Sequence, residues 1–199
     1  MKIIGIRGNY KADARRGEEG IVKPEVYLMP DSALLFNRRP LFVPDFAEQF
    51  TWSSTVVARI NRLGKNVSRK FAHRYYDALT VGLAVRAEGM TDVLAETWDG
   101  AAVLGEWIPM DNVELPAWWE VYVDGVLASS GSTDGLMVGI DELIEYVSRH
   151  FTLKTGDLLY CCSPEPRQRL KPETLIEAWI VNAQESSRSG SPLLHTRVK

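Results

Sequence analysis

The side chains able to do chemistry are few and scattered along the chain. A hydroxyl run, Ser53-Ser54-Thr55, enters a β-rich stretch, and two adjacent thiols, Cys161 and Cys162, close another. A serine or threonine nucleophile needs a base within hydrogen-bond reach. No Gly-x-Ser-x-Gly elbow surrounds the run, so it reads as a polar strand end. A cysteine becomes reactive when exposed beside a cation or a helix N-terminus. Cys161 and Cys162 follow apolar residues and read as inert buried thiols. His73, in FAHRYYD, falls off the Phe71/Tyr75 stripe and reads as an ordinary hydrogen-bonding residue. With His150, His195 and the two thiols it matches no zinc spacing. Glu18-Glu19 lies beside Arg15-Arg16 as a solvated charge cluster, and Asp141-Glu142 opens a helix on its positive end. Trp118-Trp119 suits a binding platform, but six tryptophans fill a core and an interface equally well.

The elements that must position these residues are mostly strands. Ile3–Ile6, Glu25–Met29, Val56–Ile60, Leu79–Val85, Glu120–Val123, Asp157–Cys161 and Ile176–Val181 are short, β-rich and bounded by Gly, Pro or Asp. Asp124-Gly125 predicts a hairpin, because a type I′ turn needs positive φ at both central residues. Two helices are predicted. Asp141–Phe151 carries Leu143, Val147 and Phe151 on one stripe, with acidic residues first and Arg149-His150 last. Arg69–Ala78 carries Phe71 and Tyr75. Many strands, few helices and no regular βα alternation predict an α+β, mainly β domain. The stretch SSRSGSPLLHTRVK is polar and broken by Pro192, so a single domain over residues 1–185 with a loose tail over 186–199 is expected.

Composition removes whole classes of function. The 199 residues are 45% hydrophobic and 25% charged, and 23 Lys plus Arg stand against 26 Asp plus Glu for a net charge of −3. That balance gives no broad positive field for nucleic acid or a membrane surface. No apolar run reaches the ~18 residues of a membrane helix. The apolar stretch at the start, in MKIIGIRGNY, is too short for a secretory signal. Two neighbouring cysteines cannot staple distant segments, so a reduced, cytoplasmic protein is expected.

One stretch adds chemistry of a different kind. RINRLGKNVSRKFAHRYYDALTVGL (Arg59–Leu83) closely resembles the fumarylacetoacetate hydrolase family. So do, in order, Gly8-Asn9-Tyr10, PEVYLMPDSALL from Pro24, VPDF from Val43, WDGAAVLG from Trp98 and DELIEYVSRHFTLKTGDLLYCCSP from Asp141. The resemblance implies a homodimer of a mixed β-roll or sandwich. It also implies Mg²⁺ or Mn²⁺ used to cleave, isomerise or decarboxylate β-diketo and oxo-acid substrates, as in acylpyruvate hydrolases and 2-hydroxyhepta-2,4-diene-1,7-dioate isomerases. Hard cations need oxygen ligands, which the family pattern supplies as Glu-x-Glu on one strand and Asp on the next.

This chain departs from that pattern at each ligand. By the resemblance, the three metal positions hold Ser53, Thr55 and Gly82. The His and Glu after the Asn-Tyr turn map to Asp13 and Arg16, and the two lysines map to Met29 and Glu96. The Thr-Gly-Thr-Pro turn reads Cys161-Cys162-Ser163-Pro164. Of the polar frame, Asn9, Tyr10, Arg86 and Asp99 remain. A catalytically degenerate homodimer without a cofactor is therefore expected. Its cleft, lined by Ser53, Thr55, Cys161 and Ser163, would be neutral and hydroxyl-rich and suited to a small polar ligand. The alternative is an active hydrolase, isomerase or decarboxylase whose Mg²⁺ or Mn²⁺ is held by relocated carboxylates among Asp13, Glu88, Glu96 and Asp99. A third reading is metal-independent chemistry at Ser53, Thr55 or a cysteine.

Overall fold

Strands with nearly every residue buried form the centre of the molecule. The computed structural model describes residues 1–11, 24–162, 164, 166–181 and 190–199. Its two longest strands are β4 (Phe50–Ile60) and β5 (Tyr76–Ala87), which lie antiparallel over their whole length. Both sequences are runs of small and β-branched residues, as a strand covered on both faces requires. Around them, β1 (Ile3–Arg7), β2 (Glu25–Met29), β3 (Leu34–Phe36), β6 (Ala102–Leu104) and β10 (Leu158–Tyr160) complete a sheet of order β2-β1-β10-β4-β5-β6-β3. Two short strands, β7 (Ile108–Pro109) and β11 (Gln168–Arg169), attach to β5 and β4. β10 runs parallel to β1 and antiparallel to β4.

A second sheet of order β13-β12-β8-β9 is built from β8 (Trp118–Val123), β9 (Val126–Ser132), β12 (Leu175–Val181) and β13 (Leu194–Arg197). The β8–β9 turn has φ of 49° at Asp124 and 79° at Gly125, as the hairpin signal demands. Ser54 joins the two sheets: its hydroxyl accepts from Trp119 Nε1 at 3.0 Å and bonds Ser129 Oγ at 2.9 Å. Helix α3 (Ile140–His150) buries Leu143, Ile144 and Val147, while Glu142 accepts from the Gly139 amide at its start. Two four-residue helices, α1 (Arg69–Ala72) and α2 (Asp92–Ala95), and three 3₁₀ turns at Asp31–Ala33, Met110–Asn112 and Thr133–Gly135 complete the described elements.

Three expectations from the sequence are corrected. The predicted helix over Arg69–Ala78 stops at Ala72, because Tyr76 onward pairs with β4. Phe71, 43% exposed, gives the helix no apolar stripe to extend. The hydroxyl run is not a strand end but the buried interior of β4. The tail is not loose where it is described. β13 pairs with β12, Leu194, Thr196 and Val198 are buried, and Val198 bridges to Leu41. Residues 186–189 lie outside the described residues. Among the described residues, no helix is long and apolar enough to cross a membrane.

Candidate functional site

Residues opposite one another in an antiparallel ladder share a face. The β4–β5 register sets Thr51 against Arg86, Ser53 against Ala84 and Thr55 against Gly82, so all six belong to one side of the sheet. On β1, Ile4 and Ile6 enter the main core, and the alternate positions Ile3, Gly5 and Arg7 face the other way. A Cβ on Gly5 would lie 2.2 Å from Cζ of Tyr27, so glycine is what lets the phenol ring lie across β1. The Arg7 guanidinium stacks 4.2 Å over that ring.

These residues enclose a cleft of about 260 Å³ around one buried carboxylate. Glu96, just after α2, is only 1% exposed. Its Oε2 accepts from Arg7 Nη2 at 2.9 Å, and its Oε1 lies 3.4 Å from Arg167 Nη1 and 3.6 Å from Arg86 Nη1. The Tyr27 phenol borders the same cleft, close to the Glu96 carboxylate. Arg167 is fixed in turn by donating to Thr51 Oγ1 at 3.0 Å, Ser53 Oγ at 3.1 Å and the Ala84 carbonyl at 2.7 Å. Arg7 and Arg86 also reach outward, to Glu25 at 3.2 Å and Asp92 at 2.7 Å, whose side chains are 67% and 77% exposed.

Charge is unevenly placed as a result. Among the described residues, three guanidiniums meet the buried carboxylate of Glu96, and the carboxylates of Glu25 and Asp92 sit at the rim, where solvent and salt screen them. Burial alone would weaken protonation of Arg7, but Glu96 outweighs it and holds the guanidinium above its ordinary pKa. Arg86 is raised by its hydrogen bond to Asp92, which in turn lowers the Asp92 carboxyl. Burial, reinforced by Glu96, pushes the Tyr27 phenol up.

The cleft therefore differs from the neutral, hydroxyl-rich one the sequence leads one to expect. Ser53 lines it beside Arg86, Glu96 and Cys162. Thr55 is turned to the backbone, donating to the Cys162 carbonyl at 2.7 Å, and Cys161 is fully buried. Asn9 is a bolt between segments: Nδ2 donates to the Val138 carbonyl and Oδ1 accepts from the Val138 amide. The Tyr10 hydroxyl accepts from the Ser132 amide at 2.9 Å and is equally structural. Asp99 is exposed in a different hollow, beside Ser32, Pro40 and Phe42. Glu88 accepts from Thr51 Oγ1. Asp13 and Ser163 lie outside the described residues.

The donor set does not fit a hard divalent cation. Ser53, Thr55 and Gly82 bring no anion, and the carboxylate that lines the cleft among the described residues, Glu96, is committed to three cations. Gly82 has no room for a ligand: a Cβ there would lie 2.6 Å from Val57 Cγ2 and 2.9 Å from Tyr160 Cε1. Among the described residues, no three His, Cys, Asp or Glu side chains gather to hold a metal.

The order of strands and the residues of this cleft can be set beside known proteins. A family model described as Fumarylacetoacetate (FAA) hydrolase C-terminal matches residues 2–198. The chain belongs to the fumarylacetoacetate hydrolase family. The match runs well past residue 185, so the family domain takes in the final strand. An uncharacterized protein of Pyrococcus abyssi is 29% identical over 192 residues, covering 90% of this chain and 85% of that one. A mitochondrial oxaloacetate decarboxylase of Dictyostelium discoideum is 26% identical over 196 residues, covering 90% and 88%. The crystal structure of fumarylpyruvate hydrolase from Pseudomonas aeruginosa, in complex with Mn²⁺ and pyruvate, superposes with a TM-score of 0.85 at 21% identity, covering 100% and 89%. That last likeness confirms the α+β, mainly β fold of the family.

Arg7, Tyr27 and Arg167 are the cleft residues that sequence reasoning missed. For Arg7 a signal existed, since its parity with Ile3 and Gly5 on β1 puts it on the cleft side. Arg167 comes from the short segment before β11 and carries no local pattern.

Neutral phenols and a thiol, at the cleft and elsewhere in the fold, make alkaline stability a measurable property. Burial raises the pKa of Tyr27, Tyr160 and Cys161, and burial together with Asp141 raises that of Tyr76. The unfolded chain releases these protons at about pH 9–10, before the folded chain can. Stability is therefore full below that range and falls as pH rises through it. Urea unfolding midpoints measured from neutral pH upward are expected to drop there. A midpoint unchanged to about pH 11 would count against buried neutral phenols.

Proposed function

We propose that this member of the fumarylacetoacetate hydrolase family is a ligand-binding protein, catalytically degenerate with respect to metal-dependent oxo-acid chemistry. The observation that carries the reading is Glu96 held by Arg7, Arg86 and Arg167 within the cleft. An enolate mechanism requires a Lewis acid held by anionic oxygens. Here the accessible groups are guanidiniums, a phenol and a serine hydroxyl. The version with relocated ligands is not favoured: Glu96 is engaged by arginines, Glu88 by Thr51, and Asp99 lies in another hollow. The same reading takes the protein to be a β-roll homodimer of a reducing, cytoplasmic compartment, in keeping with two buried free cysteines.

Calorimetric titration of metal-stripped protein with Mn²⁺ at neutral pH tests this. No binding is expected up to about millimolar concentration. Stoichiometric micromolar binding, or metal-dependent turnover of oxaloacetate or an acylpyruvate, would overturn it.

A further inference from the structure

We infer that the surface formed by residues 62–65 and 70–74 docks a short acidic segment of a partner protein, one that also carries apolar side chains. This surface shares no residue with the cleft and does not rest on the reading given to it. Charge is segregated along the chain. Residues 59–74 hold six of the 23 Lys and Arg and none of the 26 Asp and Glu, although the whole carries −3. The fold gathers that segment into one face. The Asn61 amide donates to the Tyr75 carbonyl at 3.0 Å, and the Arg62 guanidinium lies 5.8 Å from the Tyr75 ring. Next to Tyr75, the Arg74 guanidinium lies 5.3 Å from the Phe71 ring.

Arg62, Lys65, Lys70 and Arg74 are exposed, and none is ion-paired among the described residues. Of the carboxylates on adjoining elements, Asp77 is engaged by Arg59, Glu142 by Arg69 and Glu145 by Arg149. Two large apolar side chains stand among the free cations. Leu63 is 66% exposed, and Phe71 is 43% exposed with Lys70 and Arg74 both placed over its ring. Apolar anchors inside a charged rim are the pattern of a protein interface. An extended polyanion, whether nucleic acid or an anionic bilayer, would also meet the rest of the molecule, which holds all the Asp and Glu and repels it. A phosphate backbone offers nothing to Leu63 either. A short acidic segment feels the face alone, because charge beyond about 8 Å is screened at physiological salt. Its carboxylates match the two arginine forks, and its apolar side chains cover Leu63 and Phe71.

The test is fluorescence anisotropy of the full chain with a labelled peptide of Asp and Glu interrupted by Leu and Phe. Saturable binding is expected, weakening as salt rises. The double variant Lys70→Glu, Arg74→Glu is expected to weaken it about tenfold and Leu63→Ser about threefold. Lys171→Glu, at an exposed lysine after β11, is expected to leave it unchanged. Should the double reversal not fold, Lys70→Gln with Arg74→Gln removes the charge and is expected to weaken binding in the same direction. No binding, or equal losses in Lys171→Glu and the double variant, overturns the inference. So does equal binding of a peptide with Leu and Phe replaced by Ser, which reduces the face to plain charge attraction. Tighter binding of a single-stranded oligonucleotide or of phosphatidylserine vesicles overturns it in favour of a polyanion. Sedimentation in which the double variant loses a dimer formed by the wild type gives the face to a second copy and overturns it as well.

Discussion

Replacing Gly82 by Asp, the residue type the family pattern places there, is expected to destabilise the chain by about 4 kcal/mol or more. Two costs add. The new Cβ would meet Val57 and Tyr160 closer than side-chain atoms pack, and the Val103 carbonyl stands 3.1 Å away. The carboxylate would then be buried against aliphatic and aromatic carbon with no cation placed to receive it. Tyr160 cannot swing aside freely, since its hydroxyl donates to the Val103 carbonyl at 3.1 Å. Gly82→Ala separates the terms, with an expected cost of about 1–3 kcal/mol from overpacking alone. Urea unfolding of both variants gives the comparison. A Gly82→Asp midpoint equal to wild type would mean that the neighbouring side chains yield, and that a metal ligand could be rebuilt there.

The second large effect is at Glu96. Substituting Gln keeps the shape and removes the charge that Arg7, Arg86 and Arg167 share, leaving three guanidiniums to repel one another. A buried partner removed from an ion cluster costs about 3–5 kcal/mol, and the lower end applies because the guanidiniums reach solvent. Thermal unfolding is expected to show the loss at low ionic strength and a partial recovery in high salt, which screens the repulsion. A Glu96→Gln protein as stable as wild type would show that water and the other partners of the three cations already satisfy them.

The sequence made the scaffold readable where a rule is local. β2 spans Glu25–Met29, as its β-rich run and flanking prolines indicate, and Asp124-Gly125 turns the hairpin. Of the predicted stripe, Leu143 and Val147 are buried on α3, with Ile144 beside them, while Phe151 caps the helix and is only half-buried. Local rules failed where a distant partner decides. Tyr76 enters a strand because β4 is there to receive it, and the last ten residues look loose by composition although Leu194, Thr196 and Val198 alternate inward. The cleft was legible in part. Arg86, Glu96 and Ser53 were named from the resemblance, but the charge of the site depends on Arg7 and Arg167, which reach Glu96 from opposite ends of the chain. No window of sequence shows three cations around one carboxylate.

The position of β10 bears on how the molecule is made. It lies between β1 and β4 in the sheet, and the lock beneath it pairs the Lys2 amide with Asp157 Oδ1 across 155 residues of chain. During synthesis β1 and β4 each wait with an open edge until β10, Leu158–Tyr160, has been made. Such non-local pairing folds slowly and leaves strand edges exposed to other chains in the meantime. Closure of the central sheet thus lags far behind synthesis of its first strands, and its yield depends on protection of the nascent chain in that interval, however stable the finished sheet becomes.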